Sequence, residues 1–449
     1  MRAGFDHRQQ RFMQYRSILF QEQSHKKALQ KCLKGGKVST YDQIFLHVFA
    51  PVAVEFIEWV LAQAVQDKKK RLYFLARDGY LMYHAARLIS DELGYDLELR
   101  YLKVSRYAMR TACYFQMGSG CIDLICSNGI DITFEKMMKR AALTEEESFQ
   151  IAELAGFSGK EKKILNDREI LQLKKSLRQM PLFLKYVSAH SRKCHKAAVG
   201  YLKQEGLTES ISYALVDSGW IGTLQQSIEQ LVKRPVDGYY FGLYEIPPNA
   251  DNSRYKAFYF MPKTNIRRKV FFSNCLFETV FSAPEGMTLG YESCENGKGT
   301  LYEPIESSTH NPNDRSVLQN RALLMNYVAA YVKEKTSSAG TKLTEKLCTL
   351  FMGEPELFEA EIFGSQLFCD DVLELQMQPV AADITEADLK NWGICRKFLI
   401  KAGIYRKELK KSAWPEASIT LTGSSIKRYL LQERIYKYLI YFRKAFTAR

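Results

Sequence analysis

Between residues 44 and 261 short, wholly apolar runs alternate with stretches whose apolar residues recur every three or four positions. The runs read as strands buried on both faces, and the periodic stretches as helices packed against them. Leu72-Tyr73-Phe74-Leu75-Ala76 is the first run. It follows the charged break Asp67-Lys68-Lys69-Lys70-Arg71 and stops at Arg77-Asp78-Gly79, after which residues 80–93 carry helical spacing. Residues 97–104 repeat the pattern, with Ser105-Arg106 as the turn and a helix from Tyr107 onward. A third run, 211–216, leads through Asp217-Ser218-Gly219-Trp220-Ile221-Gly222-Thr223 into a helix at 224–231, and further strands are predicted at 238–243 and 254–261. Successive strand–loop–helix units specify an α/β fold, a mainly parallel sheet with helices on both faces.

The remaining segments fit around that sheet. Residues 44–65 are the most apolar stretch, interrupted by His47, Glu55 and Glu58, and predict an amphipathic buried helix rather than a membrane span. Residues 133–207, rich in Lys, Glu, Leu and Ala, predict a large helical insertion, a cap over the sheet. The expected organisation is a basic helical segment over 1–40, bounded by Lys34-Gly35-Gly36-Lys37, and a catalytic core over 41–300. A mixed helical region over 301–395 completes the core, with a polar loop at 307–315 and helices at 317–335 and 342–352. A basic amphipathic helical tail occupies 396–449. From Ile426 it places Leu430, Ile435, Tyr438, Leu439 and Phe442 near one face, with Lys427, Arg428, Arg434, Lys437, Arg443 and Lys444 around them. Two readings of this tail stay open: an interfacial membrane anchor, or a helix packed on the body with a solvated basic face.

Charge changes the picture by its distribution. The 449 residues carry 64 Lys+Arg against 50 Asp+Glu, a net +14. Residues 1–40 hold nine basic and two acidic side chains and residues 396–449 fourteen and three, which leaves the body at 41 basic against 45 acidic. A nucleic-acid-binding core would carry its own basic face, so no nucleic-acid partner is expected. Ten scattered cysteines, none at zinc-knuckle or redox spacing, read as reduced thiols of a cytosolic protein. The N-terminal stretch MRAGFDHRQQRFMQYR lacks the apolar segment of a signal peptide. The expected location is cytoplasmic, soluble or peripheral at the inner face of the cell membrane.

In a parallel sheet the ligand lies outside the carboxyl ends of the strands, and three loops there carry charged or glycine-rich residues. The spaced glycines Gly219 and Gly222, with Ser218, Trp220 and Thr223, suit a phosphate: small residues let backbone N–H groups approach its oxygens, and the helix start adds partial positive charge. Asp217 can accept from sugar hydroxyls. The competing reading is a tight strand-to-helix turn capped by Asp217 or Ser218. In Arg77-Asp78-Gly79, Arg77 suits a phosphate and Asp78 a divalent metal or a hydroxyl, against the plainer reading of a local ion pair. Arg106 and Arg110, four apart, can clamp a diphosphate beside Ser105, or be solvated surface arginines. Glu278, in Leu276-Phe277-Glu278-Thr279-Val280-Phe281, is a candidate base or acceptor contact, or a capping glutamate. His84, on the helix after Gly79, reads as core or surface rather than catalytic.

Taken in order, Phe74-Leu75-Ala76-Arg77-Asp78-Gly79-Tyr80, Tyr101-Leu102-Lys103-Val104-Ser105-Arg106, Leu215-Val216-Asp217-Ser218-Gly219-Trp220-Ile221-Gly222-Thr223-Leu224-Gln225 and Ser282-Ala283-Pro284-Glu285-Gly286 through Gly290-Tyr291 resemble a bacterial polysaccharide-biosynthesis family, often labelled predicted haloacid-dehalogenase-type hydrolases. In that family a phosphatase domain precedes a glycan phosphoribosyltransferase domain, and residues 41–372 look like the second. The resemblance implies transfer of 5-phosphoribosyl from phosphoribosyl diphosphate to a glycan acceptor, lipid-linked or free, during surface polysaccharide assembly. The reading of the residues is compatible with that transfer: Asp78, Asp217 and Glu278 are the expected catalytic residues, with Mg²⁺ as the expected cofactor at Asp78. Donor contacts would come from Arg77, Gly79, Ser105, Arg106, Arg110, Ser218, Gly219, Trp220, Gly222 and Thr223. The phosphatase signature Asp-x-Asp-x-Thr/Val is absent from the sequence. Either a separate phosphatase acts, or the 5-phosphate stays, or the donor differs. Another sugar-phosphate transferase or hydrolase on the same scaffold, and a non-catalytic membrane-docked scaffold protein, are the alternatives.

Overall fold

The computed structural model describes all residues except 1, 35–37, 128–130, 296–299, 309–310, 336–339, 370–376, 402–404, 406–408 and 448–449. Residues 35–37 of the expected Lys34–Lys37 boundary and residues 309–310 of the 307–315 loop therefore lie outside the described residues. Five strands, β1 (Arg71–Leu75), β2 (Glu98–Leu102), β3 (Tyr213–Trp220), β4 (Asp237–Leu243) and β5 (Tyr255–Phe260), form one all-parallel sheet in the order β2-β1-β3-β4-β5. The α/β expectation holds.

β3 differs from its predicted extent. Asp217 to Trp220, expected in a loop, continue the strand, because β4 goes on pairing with them: Asp217 with Tyr240, Gly219 with Gly242, Trp220 with Leu243. On its other side β3 loses its neighbour at Phe74↔Val216. Gly219 makes the extension possible. It has φ +104, and a Cβ there would lie 2.6 Å from the Gly242 carbonyl oxygen.

Both faces of the sheet are covered. On one, Leu72, Phe74, Val216, Tyr239 and Phe241 pack with the Ala50–Gln66, Gly79–Leu93 and Asp314–Tyr331 helices. On the other, Tyr73, Leu75, Leu102 and Leu215 meet the Arg106–Met117, Pro181–Gln204 and Thr223–Val232 helices. A hairpin of β6 (Thr288–Glu295) and β7 (Thr300–Glu306), expected only as a turn-rich loop, lies on this second face, where Tyr291 stacks on Tyr201 with ring centroids 4.3 Å apart.

The apolar 44–65 stretch is not amphipathic. Within a continuous Thr40–Gln66 helix, long and apolar enough to cross a membrane by length and composition only, 94% of the most apolar stretch is buried inside the protein. Its polar residues face partners instead of water. Glu55 Oε1 lies 2.8 Å from His25 Nε2, Glu58 accepts from the Tyr331 hydroxyl at 3.2 Å and pairs with Lys335 at 2.8 Å, and His47 Nδ1 meets the Gln43 carbonyl at 2.6 Å. The insertion has its own core of Ile122, Phe134, Met137, Ile151, Leu173 and Phe183. That core begins near Cys121, earlier than the predicted 133, and the Pro181–Gln204 helix is shared: Phe183 and Val187 face the cap, Tyr201 and Leu202 the sheet.

The N-terminal helices Arg2–Leu19 and Gln23–Leu33 belong to the main core through Phe12, Tyr15, Leu19 and Leu29. A buried ion pair fastens them: Arg11 Nη2 lies 3.0 Å from Glu359 Oε2, with side chains 4% and 0% exposed, and the Tyr15 hydroxyl donates to the same carboxylate at 2.5 Å. Arg11→Met would leave Glu359 buried without its cation, so urea unfolding should show a loss of about 3–5 kcal/mol. Stability equal to wild type would mean that the pair does not anchor this segment.

Candidate functional site

The helices after β1 and β3 leave toward opposite faces, since Leu81 and Met82 join one core and Leu224 and Ile228 the other. The chain parts between these two strands, and in sheets of this order that switch point is where ligands bind. A cavity of about 520 Å³ opens there. Its wall includes Arg77, Asp78, Ser105, Arg106, Arg110, Asp217, Ser218, Gly219, Trp220, Gly222, Thr223 and Glu278. Twelve of the thirteen candidate residues thus come together.

Gly79 is the exception. It lies buried behind the wall, and a Cβ there would sit 2.9 Å from the Phe74 carbonyl carbon. Its role is close helix–strand packing, not substrate contact.

Asp78 and Asp217 stand at the base of the cavity, each with an edge open to it and the rest enclosed by protein. The Ser218 hydroxyl donates to Asp78, and the backbone N–H groups of Ser218 and Gly219 donate to Asp217. Burial pushes the Asp78 carboxyl up, against the pull of Ser218, Arg106 and Arg77. Burial, and then the charge of Asp78, push Asp217 up to about 8. Two like charges this close in a poorly solvated site favour sharing one proton.

Cations ring the pair. Burial lowers the Arg77 guanidinium, while Asp78, Tyr101, Glu278 and Glu285 draw it back. Arg110, only 8% exposed, donates to the Thr223 hydroxyl at 2.7 Å, and its buried Nε has no hydrogen-bond partner among the described residues. Burial and the nearby Arg106 and Arg140 bring Arg110 down to about 10. Arg106 opens the Arg106–Met117 helix and Thr223 the Thr223–Val232 helix, so two helix N-termini face the cavity with the arginines.

Other candidates are committed to holding the wall together. The Ser105 hydroxyl accepts from the Ala108 N–H at 3.0 Å as a helix cap and donates to the Thr288 carbonyl at 2.6 Å, so it is not free for a ligand. The Ser218 hydroxyl is likewise spent on Asp78. The Trp220 indole N–H donates to Glu278 Oε1 at 2.5 Å, and its ring packs against Phe272 and Phe277, which fixes Glu278 toward the cavity. Gly222, with φ +70, lies against the Tyr255 ring, where a Cβ would come within 2.6 Å. His84 lies outside the wall, edge-on to Tyr80 at 4.8 Å and pushed down to about 4 by burial.

Sequence reasoning missed Arg140, which the insertion contributes to the wall; its Nη1 donates to the Ser127 carbonyl at 2.7 Å. It also missed Tyr441 and Lys444 from the tail helix. In a lysine-rich helix such as Phe134–Arg140 no local signal distinguishes one arginine. Among the described residues no group of three His, Cys, Asp or Glu is arranged to hold a metal. The paired carboxyls of Asp78 and Asp217 are hard oxygen donors, and such a pair suits Mg²⁺ only when phosphate oxygens and water complete the coordination.

No family model matches the chain, and a search of curated proteins found no match.

The carboxyl pair sets a pH dependence. An acid whose folded-state pKa exceeds its unfolded value near 3.8 holds its proton in the folded state after the unfolded chain has lost it. Stability therefore falls as pH rises from 3.8 towards about 8. Asp217→Asn removes that loss, so it should melt higher than wild type at pH 8 and show little difference at pH 4. Equal melting temperatures at both pH values would mean that Asp217 is ionised throughout.

Proposed function

We propose that the chain is a glycosyltransferase of the phosphoribosyltransferase type, moving 5-phosphoribosyl from phosphoribosyl diphosphate to a glycan hydroxyl in bacterial surface polysaccharide assembly. The observation that carries this reading is the convergence of Asp78 and Asp217 with Arg77, Arg106, Arg110 and Arg140 in one switch-point cavity. The donor has two anionic ends joined by a polar ring, and the cavity offers matching surfaces. Arg106 and Arg110, at a helix N-terminus, suit the diphosphate. The Gly222–Thr223 helix start suits the 5-phosphate. Asp78 and Asp217 suit the ribose hydroxyls or a donor-chelated Mg²⁺, which when bound would supply further neutralisation of the leaving charge.

In the transfer, the acceptor oxygen bonds to the anomeric carbon as the bond from that carbon to the diphosphate oxygen breaks. The diphosphate leaves with the electron pair, and the arginines stabilise the charge that develops on it. Glu278, held by the Trp220 indole N–H, takes the acceptor proton in this reading. The 5-phosphate then stays on the product or goes to a separate phosphatase. The reaction belongs at the cytoplasmic face of the membrane, where the donor is available and lipid-carried glycans can be reached.

Diphosphate release from phosphoribosyl diphosphate, followed with an acceptor glycan present, tests this. Arg106→Ala and Asp217→Asn should each lower release by about 10²-fold or more. Wild-type release in both variants would refute the assignment. Thermal stabilisation by a different sugar phosphate, with none from phosphoribosyl diphosphate, would favour another transferase or hydrolase on this scaffold.

A further inference from the structure

The tail helix Ile426–Thr447 is apolar on two sides. Its inner side carries Leu430 and Tyr436, both buried, and is fastened by charge: Lys437 lies 2.6 Å from Glu416, Arg434 2.9 Å from Glu354, and Lys397 pairs with Glu433. Leu430, expected to share a face with Ile435, Leu439 and Phe442, lies on this inner side instead. The outer side carries Leu431, Ile435, Leu439, Phe442 and Phe446, which are 56%, 41%, 49%, 49% and 81% exposed. Their spacing of four, four, three and four residues keeps them in one stripe, and fifteen residues of helix make it roughly 22 Å long. Isolated exposed apolar residues are ordinary on a protein surface; a continuous stripe of five marks an interaction face.

The charge around the stripe indicates its occupant. Lys427 and Arg428 are exposed at its start and Arg443 beside Phe442, in a segment with fourteen basic residues against three acidic. An apolar stripe in a basic setting matches the interface of an anionic bilayer, which takes apolar side chains below the headgroups and attracts Lys and Arg at their level.

The position of the helix gives the contact a purpose. Its inner side also reaches the candidate site: the Tyr441 ring stacks on Tyr244 with centroids 5.6 Å apart, and Lys444 lies 2.6 Å from Glu245. Both partners follow β4 at the carboxyl end of the sheet, and all four residues line the cavity. We infer that the outer face of the Ile426–Thr447 helix docks on an anionic membrane surface. Docking sets the cavity rim about one helix diameter, roughly 10 Å, from the headgroups. The acceptor is then a glycan carried on a membrane lipid, whose sugar end reaches over the helix while its tail stays in the bilayer. The choice of acceptor rests on the transferase reading above; the docking itself does not.

The test uses the full chain and vesicles of phosphatidylglycerol and phosphatidylethanolamine, with phosphatidylcholine vesicles as control. Wild type should co-sediment with the anionic vesicles, less so in high salt, and weakly with phosphatidylcholine. Leu439→Ser/Phe442→Ser/Phe446→Ser should lose binding by about tenfold or more while keeping its melting temperature, because these side chains stand on the exposed face of the helix, outside its buried side. Lys427→Glu/Arg428→Glu should weaken binding and its salt dependence. Diphosphate release with a soluble acceptor should be unchanged in both variants. Failure of wild type to bind anionic vesicles would overturn the inference, as would wild-type binding by the triple variant. So would a dimer in sedimentation velocity that the triple variant dissolves, since a second copy would then cover the stripe. Vesicle binding is read without donor: a chain that binds vesicles but releases no diphosphate upholds the dock and refutes the transferase reading.

Discussion

A parallel sheet that grows in both directions from its centre must send its crossover helices to opposite faces, and at the point of reversal nothing covers the strand ends. Here that point lies between β1 and β3. β1 stops pairing with β3 at Phe74, β3 runs on to Trp220 against β4 alone, and the overhang leaves Asp217 beside Asp78 at the floor of an open crevice. The continued pairing of β3 with β4 needs a residue without a side chain at 219, where a Cβ would meet the Gly242 carbonyl. The site thus follows from topology and one close backbone approach.

Everything around the crevice answers the electrostatic problem this creates. Two enclosed carboxyl groups resist ionising together: burial raises both, and the charge of Asp78 raises Asp217 further. Arg77, Arg106, Arg110 and Arg140 supply opposite charge, and they come from three separate parts of the chain. In a body that is acidic overall, these four arginines gather at one cavity.

Much of the sheet was legible because strands covered on both faces must be apolar throughout, as in Leu72-Tyr73-Phe74-Leu75 and Ala214-Leu215-Val216. The residues at the strand ends were legible for a related reason: Arg77, Asp78 and Asp217 are charges placed directly after such runs, where a core would exclude them. The β6–β7 hairpin was not, since most of its residues are partly buried or exposed and its pattern does not alternate cleanly. Neither was the role of Ser105 or Ser218, because a hydroxyl that caps or orients a neighbour has the same local sequence as one that meets a ligand. The Thr40–Gln66 helix is buried as expected, but its amphipathic reading failed through Glu55 and Glu58, whose partners His25, Tyr331 and Lys335 lie far away in sequence. Arg140 and the tail residues Tyr441 and Lys444 reach the cavity only through tertiary packing.

A structure of the full chain with phosphoribosyl diphosphate and Mg²⁺ tests the central claim most directly, namely that the β1–β3 crevice is one ligand site. The account predicts the donor in that crevice, its diphosphate against Arg106 and Arg110 and its ribose hydroxyls or metal facing Asp78 and Asp217. A donor bound elsewhere on the chain, or a crevice that stays empty at saturating donor, would contradict it.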